Sequence, residues 1–332
     1  MSNSANRLSY IAILQTLGII FVLLGHVIAP YVWQDWWLIH LPQDQKMKLL
    51  YKWIYSFHMP LFFFIAGYLF NYRKHYEKTI LQYLKERFKR LIIPFLAFSA
   101  MIWLPLIYLY IVKDVSFIIK FLTLKNCGHL WFLPALFISL FIYSLLIKTP
   151  LKNHLLILAG LIFWIKLNIP PLPIPDIIYK KPLKYLFYIH MGYMYAAYFE
   201  REHKDTLNKL KRLCLLFVGI WIIKKVADDI QFYYKPELYP IYIITVCYVV
   251  AQIIANLCSK LADNRCIKYI SKNVFGIYLV HYPLLIIIRH QVTDISPNES
   301  IYILLPILLA LSCLLVSTYN QIKSRILSLK NT

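Results

Sequence analysis

The sequence is short of charged residues and of glycine. Only 15% of its 332 residues are charged, while 60% are hydrophobic. A water-soluble domain usually carries about 25% charged and about 45–50% apolar residues. There are eight glycines and no tract rich in Gly, Ser or Pro, so no flexible linker is expected. The composition therefore excludes an ordinary water-soluble protein and predicts one continuous domain, residues 1–332, in a lipid bilayer.

Motifs of several familiar catalytic and metal sites are also missing. The six cysteines are scattered without a C-x-x-C pair, which argues against a disulfide framework and a zinc site. No H-E-x-x-H spacing is present, so no metal centre is predicted. The lack of a G-x-S-x-G elbow argues against a conventional Ser–His–Asp triad.

Long apolar segments dominate what is present. They have roughly the length that spans the hydrocarbon core of a bilayer, and we predict an all-α, polytopic protein of about ten transmembrane helices. The segments are 10–31, 52–70, 91–112, 130–147, 154–169, 184–200, 213–230, 240–259, 274–290 and 301–320. The first one has no A-x-A-like cleavage site, so we expect a retained helix rather than a signal peptide.

The positive charge follows the predicted topology. The formal net charge is +21. With the N-terminus inside, the inner connections hold about twice as many Lys and Arg residues as the outer ones, as the positive-inside rule requires. This bias places both termini in the cytoplasm of a multi-pass protein of the cell membrane (inner or plasma membrane). Because topology explains the basicity, no nucleic-acid partner is expected.

Several histidines fall at similar depths in the outer half of the predicted membrane. At ~1.5 Å per helical residue, His26 lies ~24 Å from the inner edge of a ~30 Å core. The others are His58, His129, His190 and His281. Ionisable groups at such depths usually mark a cavity or a reaction site, although each histidine alone is better explained as an interhelical hydrogen-bonding group. Pro60 is expected within the first turns of its helix, where its missing N–H costs least.

Two charged clusters accompany the apolar segments. A basic patch on the predicted inner face suits anionic lipid headgroups and equally the phosphates of a nucleotide-like donor, for which Arg is the better ligand. It consists of Lys78, Lys85, Arg87, Lys89 and Arg90. In the seventh segment Lys224 lies four residues before Asp228. The two side chains of this i,i+4 pair either line a sugar-binding vestibule or only neutralise each other's charge at the membrane interface.

Five motifs occur in order along the chain. They are L-G-H ending at His26, S-F-H-M-P-L-F-F-F-I-A-G-Y, K-E-R-F-K-R-L-I-I-P, H-L-W-F-L-P-A-L-F and I-Y-L-V-H-Y-P. Together they resemble the membrane acyltransferase 3 family, and most of all its fucose 4-O-acetylase-like branch, which includes polysaccharide O-acetyltransferases. The resemblance covers nearly the whole chain, from Tyr10 to about residue 320.

The resemblance implies ten membrane helices and transfer of an acetyl group from cytoplasmic acetyl-CoA to a hydroxyl of a cell-surface or lipid-linked sugar. Acetyl-CoA would be a co-substrate, with no tightly bound cofactor, and membrane lipids would be further partners. The family's essential first-helix histidine corresponds to His26. Its R-x-x-R-L-x-x-P signature corresponds to Arg87, Arg90 and Pro94, and the resemblance assigns the two arginines to acyl-donor binding.

The first helix departs from the family pattern in one respect. The family usually has an acidic residue fourteen positions before the histidine and Arg or Lys eleven before it, where this chain has Ala12 and Gln15. Gln15 still donates a hydrogen bond and is assigned to donor binding, but it provides no charge. Whether activity is kept, altered or lost is left open by the resemblance.

Transfer of an acetyl group to a hydroxyl requires a base that accepts the hydroxyl proton while the oxygen attacks the thioester. Imidazole suits this role because its unperturbed pKa lies near neutrality. We assign the base to His26, and we assign to His58 either the orientation of His26 or stabilisation of the developing oxyanion. The predicted acceptor-binding residues are His129, Trp131, Asp228 and His281.

Alternatives remain open at this level. The pantetheine arm of acetyl-CoA threads from the basic inner face to His26, or a covalent acyl-enzyme or a second protein carries the acetyl group across. A polysaccharide exporter or flippase of the same fold, without transferase activity, is the alternative that Gln15 supports. Histidines from different helices also serve as axial ligands of haem. The sequence predicts neither the acceptor glycan, the acyl group nor the oligomeric state.

Overall fold

The fold is described by a computed structural model over residues 2–33, 41–110, 115–125, 127–149, 174–199, 264–292 and 295–329. Within these ranges the chain forms α-helices, short 3-10 turns and π-helical turns, and these ranges contain no strand. The all-α prediction is therefore confirmed.

Side chains cap the starts of several helices. The N–H groups at the start of a helix lack intrahelical partners, so an oxygen that accepts from one of them stabilises the start. Thr79 and Gln82 form a reciprocal capping box before one helix, and Asn264 accepts from the N–H of Cys266 before another. Apart from the single turn Pro297–Glu299, the α-helices in the described ranges are α1 (Ser2–Ile28), α2 (Gln45–Tyr72), α3 (Ile80–Arg87), α4 (Ile93–Phe98), α5 (Leu104–Tyr110), α6 (Val115–Leu122), α7 (Phe132–Leu146), α8 (Lys180–Met194), α9 (Arg265–Gln291) and α10 (Leu305–Leu329).

Six helical stretches in the described ranges are long and apolar enough to cross a membrane, by length and composition. They are Ile11–Tyr31, Gln45–Tyr72, Ile80–Leu106, Gly128–Leu146, Arg265–Gln291 and Pro297–Ile326. Each overlaps one predicted segment, so a multi-pass membrane protein is confirmed. The predicted segments 154–169, 213–230 and 240–259 lie outside the described residues, and the count of ten stays a prediction. The segment 184–200 falls mainly on α8.

Three of the π-helical turns lie just before a proline. A proline lacks the N–H that its helix needs, and its ring clashes with the carbonyl four residues earlier. Three π-helical turns each end two residues before a proline. They are Phe88–Ile92 before Pro94, Ser99–Trp103 before Pro105 and Ser300–Leu304 before Pro306. Such turns are frequent at functional sites, and the first one carries Arg90.

Pro60 does not lie where the sequence analysis placed it. The carboxylate of Asp44 accepts a hydrogen bond from the N–H of Met47 at 2.9 Å and caps α2, which therefore begins at Gln45. Pro60 is consequently inside the helix and not in its first turns, so the Ser56 carbonyl loses its helical donor. Membrane helices tolerate such a proline where neighbouring groups satisfy the freed carbonyl.

The chain divides into two compact units. The first consists of Met1–His58, Ala100–Lys113 and Leu257–Thr332, and the second of Met59–Ser99 and Asp114–Asn256. In the first unit α1 packs against α9 and α10, which also pack against each other. In the second unit α7 packs against α8 and α3. A single domain over residues 1–332 stays a prediction.

The backbones of α2 and α8 touch in the second unit. A Cβ atom added at Gly67 would overlap the carbonyl of Ile189, and one added at Gly192 would overlap the carbonyl of Phe64. Membrane helices gain no hydrophobic free energy when they leave lipid to associate, so van der Waals packing contributes much of their attraction. Small residues strengthen this packing because they let two backbones approach closely. These two glycines therefore set the distance between α2 and α8.

A buried arginine ties the end of α1 to residues that follow α9 in the first unit. The Arg289 side chain is fully buried and donates to the Val27 carbonyl at 2.9 Å and to Ser300 Oγ at 3.0 Å. It also donates to Tyr31 Oη at 3.3 Å, and the Tyr31 hydroxyl donates to the Ile295 carbonyl at 2.7 Å. Within the ranges that the structure describes, no carboxylate pairs with Arg289. The carbonyls at the C-terminal end of α1, the negative end of its dipole, compensate the charge instead.

Replacement of Arg289 by methionine is expected to lower the free energy of unfolding by roughly 2–3 kcal/mol, because hydrogen bonds to a charged group are strong and their acceptors would stay buried. Thermal unfolding of the protein in detergent measures this change. Arg265→Gln is the control, since Arg265 is exposed at the start of the same helix. If Arg289→Met unfolded at the wild-type temperature, the network would have no stabilising role.

Candidate active site

Three of the predicted site histidines converge in the first unit. His26 is on α1, His58 on α2 and His281 on α9. The ring centroids of His26 and His281 are 5.3 Å apart, and Tyr282 stands edge-on to His26 at 4.5 Å. His58 and His281 are buried, whereas His26 is partly exposed. His26 is therefore the most accessible ring of the three.

Tyr55 links His26 to His58. Its hydroxyl lies 3.4 Å from Nδ1 of His26, and its ring packs edge-on against His58 with centroids 4.6 Å apart. The Tyr55 ring also stacks on Tyr51 at 3.8 Å. Gly25 leaves room for it, since a Cβ there would lie 2.9 Å from Cε2 of Tyr55. The L-G-H motif thus needs glycine beside the histidine for a close approach.

Aromatic side chains surround this group, which we call the histidine cluster. It consists of His26, Tyr55, His58, His281 and Tyr282. Trp103 is fully buried, with its centroid 5.6 Å from that of Tyr282. Electrostatic interactions are stronger in such low-polarity surroundings than in water, so proton transfer at this place is sensitive to the orientation of each ring.

The backbone determines which nitrogen of the two buried histidines carries the proton. Nδ1 of His58 lies 2.7 Å from the Ile54 carbonyl, and Nδ1 of His281 lies 2.8 Å from the Tyr278 carbonyl. A carbonyl only accepts, so each Nδ1–H donates and Nε2 of each neutral ring is an acceptor. For His58 this favours the orienting role over donation to an oxyanion. For His281 it favours acceptance of a hydrogen bond from a hydroxyl.

Tyr55→Phe is expected to lower the turnover number about tenfold, the effect of one orienting hydrogen bond of about 1.4 kcal/mol. The change removes the hydroxyl beside His26 and keeps the ring, so the fold should be intact. The measurement is the rate of acetyl transfer as a function of pH. The part of this profile that reflects ionisation of the general base should shift. Tyr269→Phe is the control, because its hydroxyl donates to the Cys313 carbonyl at 3.0 Å outside the histidine cluster. An equal loss in both variants would contradict an orienting role.

The predicted residues His129 and Trp131 lie in the second unit. His129 is buried, and Trp131 ends the 3-10 turn that leads into α7. The ammonium of Lys181 lies 3.8 Å from the centroid of the Trp131 ring. In the same unit, Nδ1 of His190 lies 3.1 Å from the Tyr143 hydroxyl. His190 therefore belongs to a hydrogen-bonded pair between two helices, the structural role that the sequence analysis gave as the alternative for each single histidine.

The predicted donor-binding arginines differ in their surroundings within the second unit. Arg87 is mostly buried with its guanidinium 5.3 Å from the centroid of the Tyr83 ring, and its Nη2 lies 3.9 Å from the carboxylate of Glu86. Arg90 is exposed on the π-helical turn. No carboxylate in the described part of the chain pairs with Arg90, so its charge is available to a phosphate or a lipid headgroup.

His75 packs beside Tyr83, with ring centroids 5.1 Å apart. Burial, followed by the charges of Arg87 and Lys78, lowers the pKa of His75 to about 4. The ring is therefore neutral at neutral pH and adds no charge to the basic patch. Lys78 is compensated by Glu86 at 2.6 Å, so the uncompensated positive charge of the patch rests on its exposed members Lys85, Lys89 and Arg90.

The two remaining predicted residues are Gln15 and Asp228. Gln15 is half-buried on α1, eleven residues before His26, which corresponds to ~16 Å along the helix. Asp228 lies outside the described residues. The structure thus groups His26 with His58 and His281, and the roles of all the predicted site residues stay predictions. No group of three or more His, Cys, Asp or Glu that could hold a metal occurs in the described ranges.

The sequence analysis missed Tyr55, Tyr282 and Lys181. A signal existed for the tyrosines, since Tyr55 precedes His58 by three residues and so shares its helix face, and Tyr282 follows His281 directly. Lys181 lies in a run of lysines at the start of α8, where the helix dipole disfavours cations. The unfavourable position of these lysines at the positive end of the helix dipole becomes evident only when the first residue of α8 is known.

The long apolar helices make the chain a multi-pass membrane protein. The histidines and tyrosines that meet between them form a candidate acid–base site. The family model described as an acyltransferase domain matches residues 8–319, nearly the whole chain. The chain therefore belongs to the acyltransferase 3 family, as its five motifs predicted.

The chain is also similar to the nodulation protein NolL of Mesorhizobium japonicum, with 30% identity over 132 residues. The match covers 39% of this chain and 33% of NolL, so the chain spans about a third of the length of that relative. No solved structure gave a significant match.

Proposed function

We propose that the protein is a membrane O-acetyltransferase that moves an acetyl group from cytoplasmic acetyl-CoA to a hydroxyl of a cell-surface or lipid-linked sugar. Membership of an acyltransferase family supports the class of reaction. The observation that carries the proposal is the histidine cluster, where a partly exposed imidazole lies among buried aromatic side chains. We place the enzyme in the inner or plasma membrane, where the donor is on one side and the glycan on the other.

In this proposal His26 is the general base. Its Nδ1–H donates to the Tyr55 hydroxyl oxygen, and its Nε2 takes the proton of the acceptor hydroxyl. The sugar oxygen then attacks the carbonyl carbon of the thioester, so a C–O bond forms and the C–S bond breaks. The CoA thiolate leaves with the proton that the His26 imidazolium returns. The base is therefore regenerated in every cycle.

The neighbouring histidines have supporting roles. His58 holds the ring of Tyr55 in place through their edge-on contact, and so orients His26 indirectly. The Nε2 atom of His281, an acceptor in the neutral ring, receives a hydrogen bond from the acceptor sugar. Proton transfer itself involves only His26 and the two substrates.

Donor binding is assigned to the inner face. Arg90 and Arg87 hold the phosphates of acetyl-CoA, because a guanidinium matches two phosphate oxygens at once. Gln15 hydrogen-bonds the donor without adding charge. Since His26 is ~24 Å from the inner edge by helix rise, the extended pantetheine arm has to carry the thioester toward the outer half of the membrane.

The proposal is tested by mass spectrometry of the surface glycans of the host. The strains are the wild type, a deletion strain and the deletion strain complemented with the gene, together with a measurement of glycan export. We expect an acetyl-sized mass to vanish on deletion and to return on complementation. Unchanged acetylation with reduced export would contradict the transferase and favour the exporter or flippase, the alternative that the missing charge at Gln15 supports.

A further inference from the structure

A cavity of about 490 Å³ lies in the second unit, where α7 and α8 begin. Its volume is within the range of small-molecule sites, about 300–1,000 Å³. The wall includes Lys125, Cys127, Gly128, Trp131, Asp176 and Lys181. The predicted topology puts the starts of both helices on the outer face of the membrane, the side from which a surface glycan approaches.

The cavity contains a positive charge that forms no ion pair with the described residues. The ammonium of Lys181 rests on the face of Trp131 at 3.8 Å, and no carboxylate in the described ranges lies within ion-pair distance of it. Asp176, also on the wall, is already 3.9 Å from Lys180 and is largely exposed. Partial burial lowers the pKa of Lys181 to about 8, although the charge of Asp176 acts in the opposite direction. Such an ammonium is stabilised when an anion joins it.

The start of α8 breaks a local rule of helix formation. Lys180, Lys181 and Lys184 lie in its first turns, and Tyr179 at the N-cap provides no side-chain cap. The positive end of the helix dipole disfavours cations there. Sequences that violate a local preference usually do so at functional sites. The lysines do not stabilise the start of α8, so we look for a functional role for them.

The backbone on the α7 side of the wall has a conformation that suits an anion. Cys127 has φ −99° and ψ 13°, and Gly128 has φ 53°, a left-handed value that favours glycine. A turn conformation of this kind, with φ near −90° and ψ near 0° followed by a positive φ, directs successive N–H groups toward the same side, the backbone pattern of an anion-binding concavity. Both residues line the cavity that contains Lys181.

We propose that this cavity binds the anionic group of the acceptor, so that the acceptor is an acidic sugar whose carboxylate lies against the Lys181 ammonium. The inference rests on the proposed function, because a sugar acetyltransferase requires an acceptor site on the outer face. It adds Lys181 to the predicted acceptor residue Trp131, which holds the ammonium in place from its ring face. A phosphate on a lipid headgroup has the same charge chemistry, and the experiment distinguishes the two sources.

Direct binding to the full-length protein in detergent tests this site without any acetyl transfer. The probe is glucuronate, titrated by saturation-transfer NMR, with its methyl ester as the neutral ligand of the same shape. We expect glucuronate to bind about tenfold more tightly than the ester. Lys181→Gln should lose about tenfold in glucuronate affinity. Lys184→Gln, one turn along α8 and outside the cavity wall, should bind glucuronate as the wild type does.

The pH dependence gives a second readout. The glucuronate affinity should fall as the pH rises from about 7 to about 9, because Lys181 loses its proton in this interval. The other titratable groups on the wall are Lys125, Cys127 and Asp176, with Lys180 beside them. Burial raises the pKa of the Cys127 thiol to about 12, so it stays neutral here. Lys181→Arg, which stays charged, should bind without this fall.

Equal affinities for glucuronate and its ester, or wild-type binding by Lys181→Gln, would overturn the inference. If glucuronate does not bind while vesicles containing phosphatidylglycerol bind in a Lys181-dependent way, the anion belongs to a lipid and the acidic acceptor is wrong. Displacement of bound glucuronate by inorganic phosphate would support the charge recognition. Glucuronate binding by a protein that transfers no acetyl group would contradict the proposed function and leave the anion site standing.

Discussion

His26→Gln is expected to reduce acetyl transfer by about 10²–10⁴-fold, the contribution of a positioned general base, in a protein that still folds. Glutamine is polar and similar in length to histidine, but its amide does not accept a proton from a hydroxyl. The Tyr55 hydroxyl, 3.4 Å from Nδ1, would still have a hydrogen-bonding partner. The loss should therefore appear in the turnover number, with little change in the KM for acetyl-CoA.

The measurement is the initial rate of label transfer from acetyl-CoA to glycan in membranes that contain equal amounts of each variant. His290→Gln is the matched control, since it removes an imidazole from α9 in the same unit, outside the histidine cluster. A rate for His26→Gln close to that of His290→Gln would show that another group takes the proton. A raised KM with an unchanged turnover number would assign His26 to binding instead.

Gly192→Ala is expected to cause the largest loss of stability among single-methyl changes at the α2–α8 contact, roughly 3 kcal/mol or more. The added Cβ would overlap the Phe64 carbonyl and lie 2.8 Å from the Tyr68 nitrogen. Both are backbone atoms, which cannot rotate away as a side chain can, so the two helices have to separate. Gly67→Ala should have a similar effect through the Ile189 carbonyl.

Unfolding temperature and the fraction of monodisperse protein after size-exclusion chromatography measure this loss. Gly276→Ala is the comparison variant, because its Cβ would meet only side-chain methyl groups of Val316, at 2.8 and 2.9 Å. A side chain shifts more easily than two helix backbones separate, so its loss should be smaller. The double variant Gly67→Ala/Gly192→Ala should lose less than the sum of the single losses, since neighbouring sites are not additive and the first separation makes room for the second methyl. Strictly additive losses would show that the two glycines act independently.

Much of the fold could be predicted because the pattern that marks a membrane helix lies in consecutive residues. A span requires only a run of apolar residues of sufficient length, and the structure has a helix at each predicted span that it describes. The exception, Pro60, depended on a helix start. The cap at Asp44 extends α2 by about two turns beyond the apolar run, and a polar cap leaves no trace in hydropathy.

The site could be predicted only in part. Depth along the helices correctly grouped His26, His58 and His281, because rise per residue converts sequence position into height. The same argument included His129 and His190, which lie in the second unit, where His190 pairs with Tyr143. Height does not specify the direction in which a side chain points around its helix, and that direction decides which rings meet.

The sequence by itself determined the medium, the six apolar spans that the structure describes and the family, since each depends on residues that are neighbours in the chain. The tertiary structure decided that Tyr55 bridges His26 and His58, that Arg289 compensates the end of α1, and that Lys181 rests on Trp131. These contacts join residues from different helices, so they depend on how the helices rotate and cross. That geometry is set by packing, of which the close approach at Gly67 and Gly192 is the clearest example.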